Sequence, residues 1–169
     1  MRFQRRTVMA GAVALWGSAA LSGAASADSP PASCPATTQQ SVFVPPDTYP
    51  SPPSSGFYLG TNALWTIVTR DPAVWRALPK WPAGYRQKIF WFTTNIDNPN
   101  LALTVSGRRL DGNNSFQSSE ANRGQSNDLG RFIVSGVVIP AAGCWEITGR
   151  LSDGKSQSQL QFVVWVEGN

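Results

Sequence analysis

The sequence predicts an all-β, antiparallel, two-layer sandwich, and three observations carry that expectation. From Phe57 onward, short runs rich in Val, Ile, Phe and Trp recur, several alternating between apolar and polar residues. Turns containing Gly, Pro, Asn or Asp separate them. The last stretch, residues 140–166, reads as a turn followed by a long hairpin. About seven strands are expected, with a Pro-rich N-terminal lead-in and at most one short helix.

Taken in order, residues 63–69 (ALWTIVT) read as a strand. Asp71-Pro72 ahead of Ala73-Val74-Trp75-Arg76-Ala77-Leu78 predicts one or two helical turns, with Asp71 as cap and Pro72 in the first helical position. Residues 87–94 (QKIFWFTT) are apolar on both faces at their centre, as an interior strand requires. Within that run Trp91 shares a face with Tyr85, Gln87 and Ile89, while Phe90 and Phe92 take the other. Leu101, Leu103 and Val105 alternate with Ala102, Thr104 and Ser106, a half-buried strand. Residues 108–130 are polar and carry Gly112, Gly124 and Gly130, so they read as a long excursion with a weak strand around Phe116. Residues 131–139 (RFIVSGVVI) return to strand and stop at Pro140. Pro140-Ala141-Ala142-Gly143 then turns into Cys144-Trp145-Glu146-Ile147-Thr148-Gly149-Arg150, and Asp153-Gly154 marks the hairpin turn. Trp145 and Trp165 are placed to meet across this hairpin.

The N-terminus gives the destination. Arg2, Arg5 and Arg6 precede an Ala/Gly/Val/Leu run from Val8 to Leu21, and Ala25-Ser26-Ala27 supplies an A-x-A cleavage site. Residues 1–27 therefore read as a secretory signal, whose apolar run is too short and too rich in small residues to remain as a membrane span. The mature chain starts near Asp28, periplasmic or secreted, with no transmembrane anchor. Gln4-Arg5-Arg6-Thr7-Val8-Met9 fits a twin-arginine signal only in part, so both export routes stay open. Whole-chain charge is +4, from 14 basic and 10 acidic residues. Three of the basic residues leave with the signal, so the mature chain carries 11 against 10, or +1. Without a basic stripe over the folded part, nucleic acid is excluded as a partner.

Residues 28–56 hold eight of the thirteen prolines and read as a lead-in or linker, with the composition of a wall-spanning spacer. Its apolar island, Val42-Phe43-Val44, is suited to docking as an edge strand. Residues 57–169 form the β-sandwich domain.

The Pro-x-x-Gly turn into Cys-aromatic, followed by a hairpin and a Val-rich last strand, resembles the closing strand pair of immunoglobulin-like sandwiches. The Gly-Cys-Trp-Glu-x-Thr-Gly-Arg hairpin at residues 143–150 and Gly107-Arg108-Arg109-Leu110-Asp111-Gly112 are similar to segments of a group of small secreted bacterial proteins. These likenesses imply fold and compartment and carry no activity.

The chain has no histidine. Ser-His-Asp and Cys-His catalysis, His-ligated zinc and the usual copper sites are thereby excluded. No cofactor and no metal is expected. Cys34 and Cys144 both survive signal removal, and an oxidising compartment permits them to pair across more than 100 residues. The other reading makes Cys144 a small buried hydrophobe and Cys34 a loose thiol. Carboxylate chemistry stays open, since a glycosidase needs two suitably spaced acids. Its candidates are Asp71, Asp111, Glu120, Asp128 and Glu146, with no defined spacing between any two; Glu146 reads better as solvent-facing or paired with Arg150. Asp97-Asn98-Pro99-Asn100 and Asp111-Gly112-Asn113-Asn114-Ser115 have calcium-friendly oxygens but read as turns.

Trp91, Trp145 and Trp165 are assigned to the core. Trp75 and Trp81 lie in a polar, proline-punctuated segment and, with Tyr58, Tyr85 and Arg76, form the candidate binding surface. The expected function is a monomeric, non-enzymatic binding or structural module for a protein or glycan of the cell envelope. The alternatives are a carbohydrate-binding module or carboxylate-based glycan-active enzyme, and a secreted enzyme inhibitor presenting residues 108–130 as a protruding loop.

Overall fold

The computed structural model describes residues 29–40, 43–46 and 48–168, so the expected signal at residues 1–27 lies outside the described part. Among the described residues the chain forms eleven strands and no helix. In chain order these are β1 (Phe57–Thr61), β2 (Leu64–Val68), β3 (Val74–Trp75), β4 (Lys80–Trp81), β5 (Gly84–Phe92), β6 (Ala102–Arg109), β7 (Ser115–Ser118), β8 (Ala121–Ser126), β9 (Gly130–Ile139), β10 (Gly143–Ser152) and β11 (Gln157–Val166). The first sheet runs β1-β2-β5-β9-β8, with β4 paired onto the start of β5; the second runs β3-β11-β10-β6-β7. Every pairing is antiparallel except the parallel one between β3 and β11. With β8, β9 and β5 facing β7, β6, β10 and β11, the order is that of an immunoglobulin-like sandwich. The strands beyond the expected seven or so are short ones.

The alternation in the sequence decides which face each residue takes. Along β5, Tyr85, Ile89 and Trp91 enter the space between the sheets, where they meet Val105, Ile133, Ile139, Ile147, Val164 and others. Trp91 is fully buried and its indole lies directly on Gly149 of the opposite sheet, leaving no room there for a Cβ. In antibody domains the equivalent two strands are joined by a disulfide; here an aromatic ring seated on a glycine spans them.

The first sheet has a second apolar face. Tyr58, Trp65 and Phe92 form a separate outer cluster, with Phe90, Phe132, Ile67 and Leu129 packed against it. The lead-in covers part of this cluster. Phe43 and Tyr49 set their rings 5.6 Å and 5.0 Å from Trp65, and the Tyr58 hydroxyl donates to the Pro50 carbonyl at 2.8 Å. Burial pushes the Tyr58 and Tyr49 phenols up.

Further along the lead-in, Cys34 and Cys144 form a disulfide with 5.5 Å between their Cα atoms. Thr37 sits between strands: its amide donates to Val163 O, its hydroxyl accepts from Val163 N, and its carbonyl accepts from Ala73 N, each at 2.8 Å. The described part of residues 28–56 is thus a layer of the sandwich rather than a spacer standing off it. Val42 lies outside the described residues, and Phe43 and Val44 belong to no strand.

Three other expectations change. Residues 71–78 form no helical turn, because Ala73 is held between Thr37 and Trp165 and Val74–Trp75 pairs with β11. Asp71 accepts the Gln39 amide instead of capping a helix. Residues 108–130 are not a free excursion: β7 forms around Phe116 as expected, and β8 pairs with β9 over six residues. Trp145 and Trp165 do not meet. The register sets Trp145 opposite Val164 and Trp165 opposite Cys144, so the two indoles take opposite faces; Trp145 is buried and Trp165 only half-buried.

Replacing Gly149 by Ala should overpack the Trp91 contact and cost about 1–3 kcal/mol. Gly136→Ala, where an added Cβ meets nothing within 4 Å, should leave stability unchanged or slightly raised. Thermal unfolding of the two variants checks this, and equal melting points would show that Trp91 does not set the packing.

Candidate functional site

Trp81 ends the two-residue strand β4, and Pro82-Ala83 turns the chain back into β5 at Gly84. Gly84 has φ +135°, and a side chain there would overlap the Ile139 carbonyl, so glycine alone lets this hairpin lie close against β9. Trp81 pairs with Gly84, and strand alternation places Arg86 on the same outward face. The Arg86 guanidinium lies 3.9 Å from the centroid of the indole, a cation–π stack. Lys88 follows on that face; the cross-strand partners of Arg86 and Lys88 on β9 are Val138 and Gly136.

These residues, with Pro79 and Glu120, line an open groove of about 620 Å³ on the outer face of the first sheet. Trp81 is 51% exposed and Val138 37%. Among the described residues the other large apolar side chain this exposed is Val44, in the lead-in.

Of the residues expected to form a binding surface, only Trp81 is presented. Trp75, Tyr58 and Tyr85 are buried at 6%, 3% and 5% exposure. Trp75 turns into the core because its strand pairs with the end of β11, where its ring packs edge-on to Phe162 at 6.1 Å. Tyr58 belongs to the outer aromatic cluster under the lead-in. Tyr85 faces inward and takes Lys80 over its ring at 5.5 Å. Arg76 is bound to Glu167 at 3.2 Å. The aromatic platform of several rings is therefore one indole stacked with an arginine.

Arg86, Lys88 and Val138 were missed; Glu120 was named only as a candidate acid. Arg86 and Lys88 could have been found from their alternation with Tyr85 and Ile89, which faces them outward. The placement of Val138 and Glu120 beside them depends on the pairing of β9 with β5 and β8.

The candidate acids are mostly engaged elsewhere. Glu146 bonds Arg108 at 2.9 Å, its register partner across β6, whereas Arg150 donates to Gln159 at 3.1 Å. Asp97 pairs with Arg131. Glu120 lies on the groove, and Asp128 in the turn between β8 and β9.

The Gly107–Gly112 segment and the 143–150 hairpin form one knot. Asp111 Oδ1 accepts from Arg109 Nε at 2.7 Å and from the Cys144 amide at 3.1 Å, and the Leu110 amide donates to Cys144 O at 2.7 Å. Gly143, at φ +140°, leaves the space that Arg109 and Asp111 fill. Partial burial pushes the Asp111 carboxyl up, but the Arg109 and Cys144 hydrogen bonds prevail and hold it below its ordinary value of 3.8. The role of these two segments is structural: they lock the disulfide-bearing end of β10 to β6.

No family model matches the chain, and no curated protein matches it. Among solved structures, the copper-bound form of a FetP variant from uropathogenic Escherichia coli strain F11 shares 10% identity over 68% of this chain and 92% of its own, with a TM-score of 0.43. The as-isolated FetP of the same strain, expressed recombinantly in the periplasm, shares 10% over 68% and 96%, with a TM-score of 0.39. Both likenesses are too distant for anything of those proteins to transfer to this chain.

Because Asp111 is held more acidic in the folded state than in the unfolded chain, its stabilisation is present above the unfolded value and disappears as pH falls through the lower, folded one. The melting temperature should therefore decline on acidification below about pH 4, and Asp111→Asn should flatten that decline while costing about 1 kcal/mol at neutral pH. Melting curves from pH 7 to pH 2 check this, and identical pH profiles for the two proteins would contradict it.

Proposed function

We propose that this chain is an exported module without catalytic activity of its own, which binds a protein or glycan of the cell envelope or extracellular space through the groove around Trp81. The observation that carries the reading is the half-exposed Trp81 indole with the Arg86 guanidinium over its ring at 3.9 Å. Large aromatic side chains are normally buried, and one left open and oriented on a rigid sheet is the usual anchor of a recognition surface. Export is supported by the signal read at residues 1–27 and by the Cys34–Cys144 bond, which suits an oxidising compartment.

The absence of catalysis is supported by how the acids are used: of the five candidates, Asp71, Asp111 and Glu146 hold structural contacts, and Glu120 is the one acid lining the groove, where a glycosidase needs two. The inhibitor alternative is disfavoured by the pinning of β7 and β8 into both sheets, which leaves residues 108–130 little loop to present.

The exported protein should co-sediment with envelope material. Trp81→Ala should weaken that association about tenfold or more with an unchanged circular dichroism spectrum, while Arg150→Ala on the opposite sheet should not. Full binding by Trp81→Ala would overturn the assignment of the surface. Hydrolysis of a glycan by the wild-type protein would overturn its non-catalytic character.

A further inference from the structure

We infer that the ligand of the Trp81 groove is an anionic saccharide, a sugar carrying a carboxylate or a phosphate; this rests on the groove being the binding surface. Four arginines of the described chain are satisfied by carboxylates: Arg76 by Glu167, Arg108 by Glu146, Arg109 by Asp111 and Arg131 by Asp97. Seven cations of the described chain form no ion pair among the described residues, and of these Arg86 and Lys88 alone line the groove, both on the outward face of β5. The Arg86 guanidinium carbon lies 3.9 Å from the indole centroid, and a guanidinium without a carboxylate partner, lining a groove, has N–H donors to offer in the two parallel bonds that grip a carboxylate or phosphate. Glu120, at the opposite rim, is the acid that lines the groove.

The remaining surface suits a sugar ring. Trp81 offers an apolar plane for its C–H face, and Gly136, with nothing within 4 Å of where a Cβ would stand, leaves an open floor beside Lys88. The volume of about 620 Å³ falls in the range of small-ligand sites. A protein partner fits less well. The open apolar area is that of Trp81, Val138 and Pro79, flanked by cations, short of the contiguous patch that marks a stable protein interface.

Calorimetric titration of the exported protein tests this with tetragalacturonate, its fully methyl-esterified counterpart, glucose 6-phosphate and inorganic phosphate as probes. At least one anionic sugar should bind about tenfold or more tighter than the neutral ester, and the affinity should fall as salt rises. Arg86→Gln and Lys88→Gln should each erase much of that preference, and Glu120→Gln should strengthen anionic binding about twofold. Equal affinity for the ester and the acid, or no binding of either anionic sugar, would overturn the ligand class and leave the groove standing. Inorganic phosphate binding as tightly as the sugars would overturn the saccharide part. An unchanged affinity for the anionic sugar in Trp81→Ala would overturn the groove itself.

Discussion

The indole of Trp91, seated on the backbone of Gly149, fixes how the two sheets meet, and the position of the Trp81 groove follows from it. β5 has period-two alternation, so a strand locked by Trp91 inward must carry Arg86 and Lys88 outward. A slip of one residue would bury both cations and expose the indole. Core packing on one face of β5 and the exposed cations on the other are thus a single constraint read from two sides. The Pro82-Ala83 turn then brings Trp81 back onto the same outer face, beside Arg86.

The Pro-rich lead-in completes the structure in a way its composition conceals. An outer sheet face bearing Trp65, Phe92 and Tyr58 would be an exposed apolar patch without a cover. Phe43 and Tyr49 supply the cover, and prolines suit the segment because it follows the surface without needing ladder amides. The Cys34–Cys144 bond and the Thr37 contacts anchor its beginning to the second sheet. The lead-in therefore belongs to both sheets, and the cover ends before the Trp81 groove, where the outer face of the first sheet is left open.

What the sequence reveals depends on whether the signal is local. The alternation of residues 101–106, the two-faced apolar run at residues 87–94 and the Asp153-Gly154 turn were all legible, because period and turn chemistry belong to neighbouring residues. Both faces of β5 were assigned as they stand. β8 was missed, since Ala121–Ser126 is a polar edge strand with a central glycine and no apolar period; it is a strand only because β9 lies beside it. The site was half legible for the same reason. Trp75 and Trp81 look alike in sequence, yet one pairs with the end of β11 and is buried while the other pairs with Gly84 and is open. That difference arises from contacts between distant parts of the chain.

The two sheets also use their outer cations differently. On the second, Arg108 bonds Glu146 and Arg150 bonds Gln159; on the first, Arg86 stacks on Trp81 and, like Lys88, forms no ion pair among the described residues. Recognition through the first sheet is tested most directly by hydroxyl-radical footprinting of the protein, free and adsorbed to envelope material, with oxidation read residue by residue. Protection should concentrate at Trp81 and Val138. Protection at Phe116 and Trp165, on the second sheet, with Trp81 oxidised as readily as before, would contradict it.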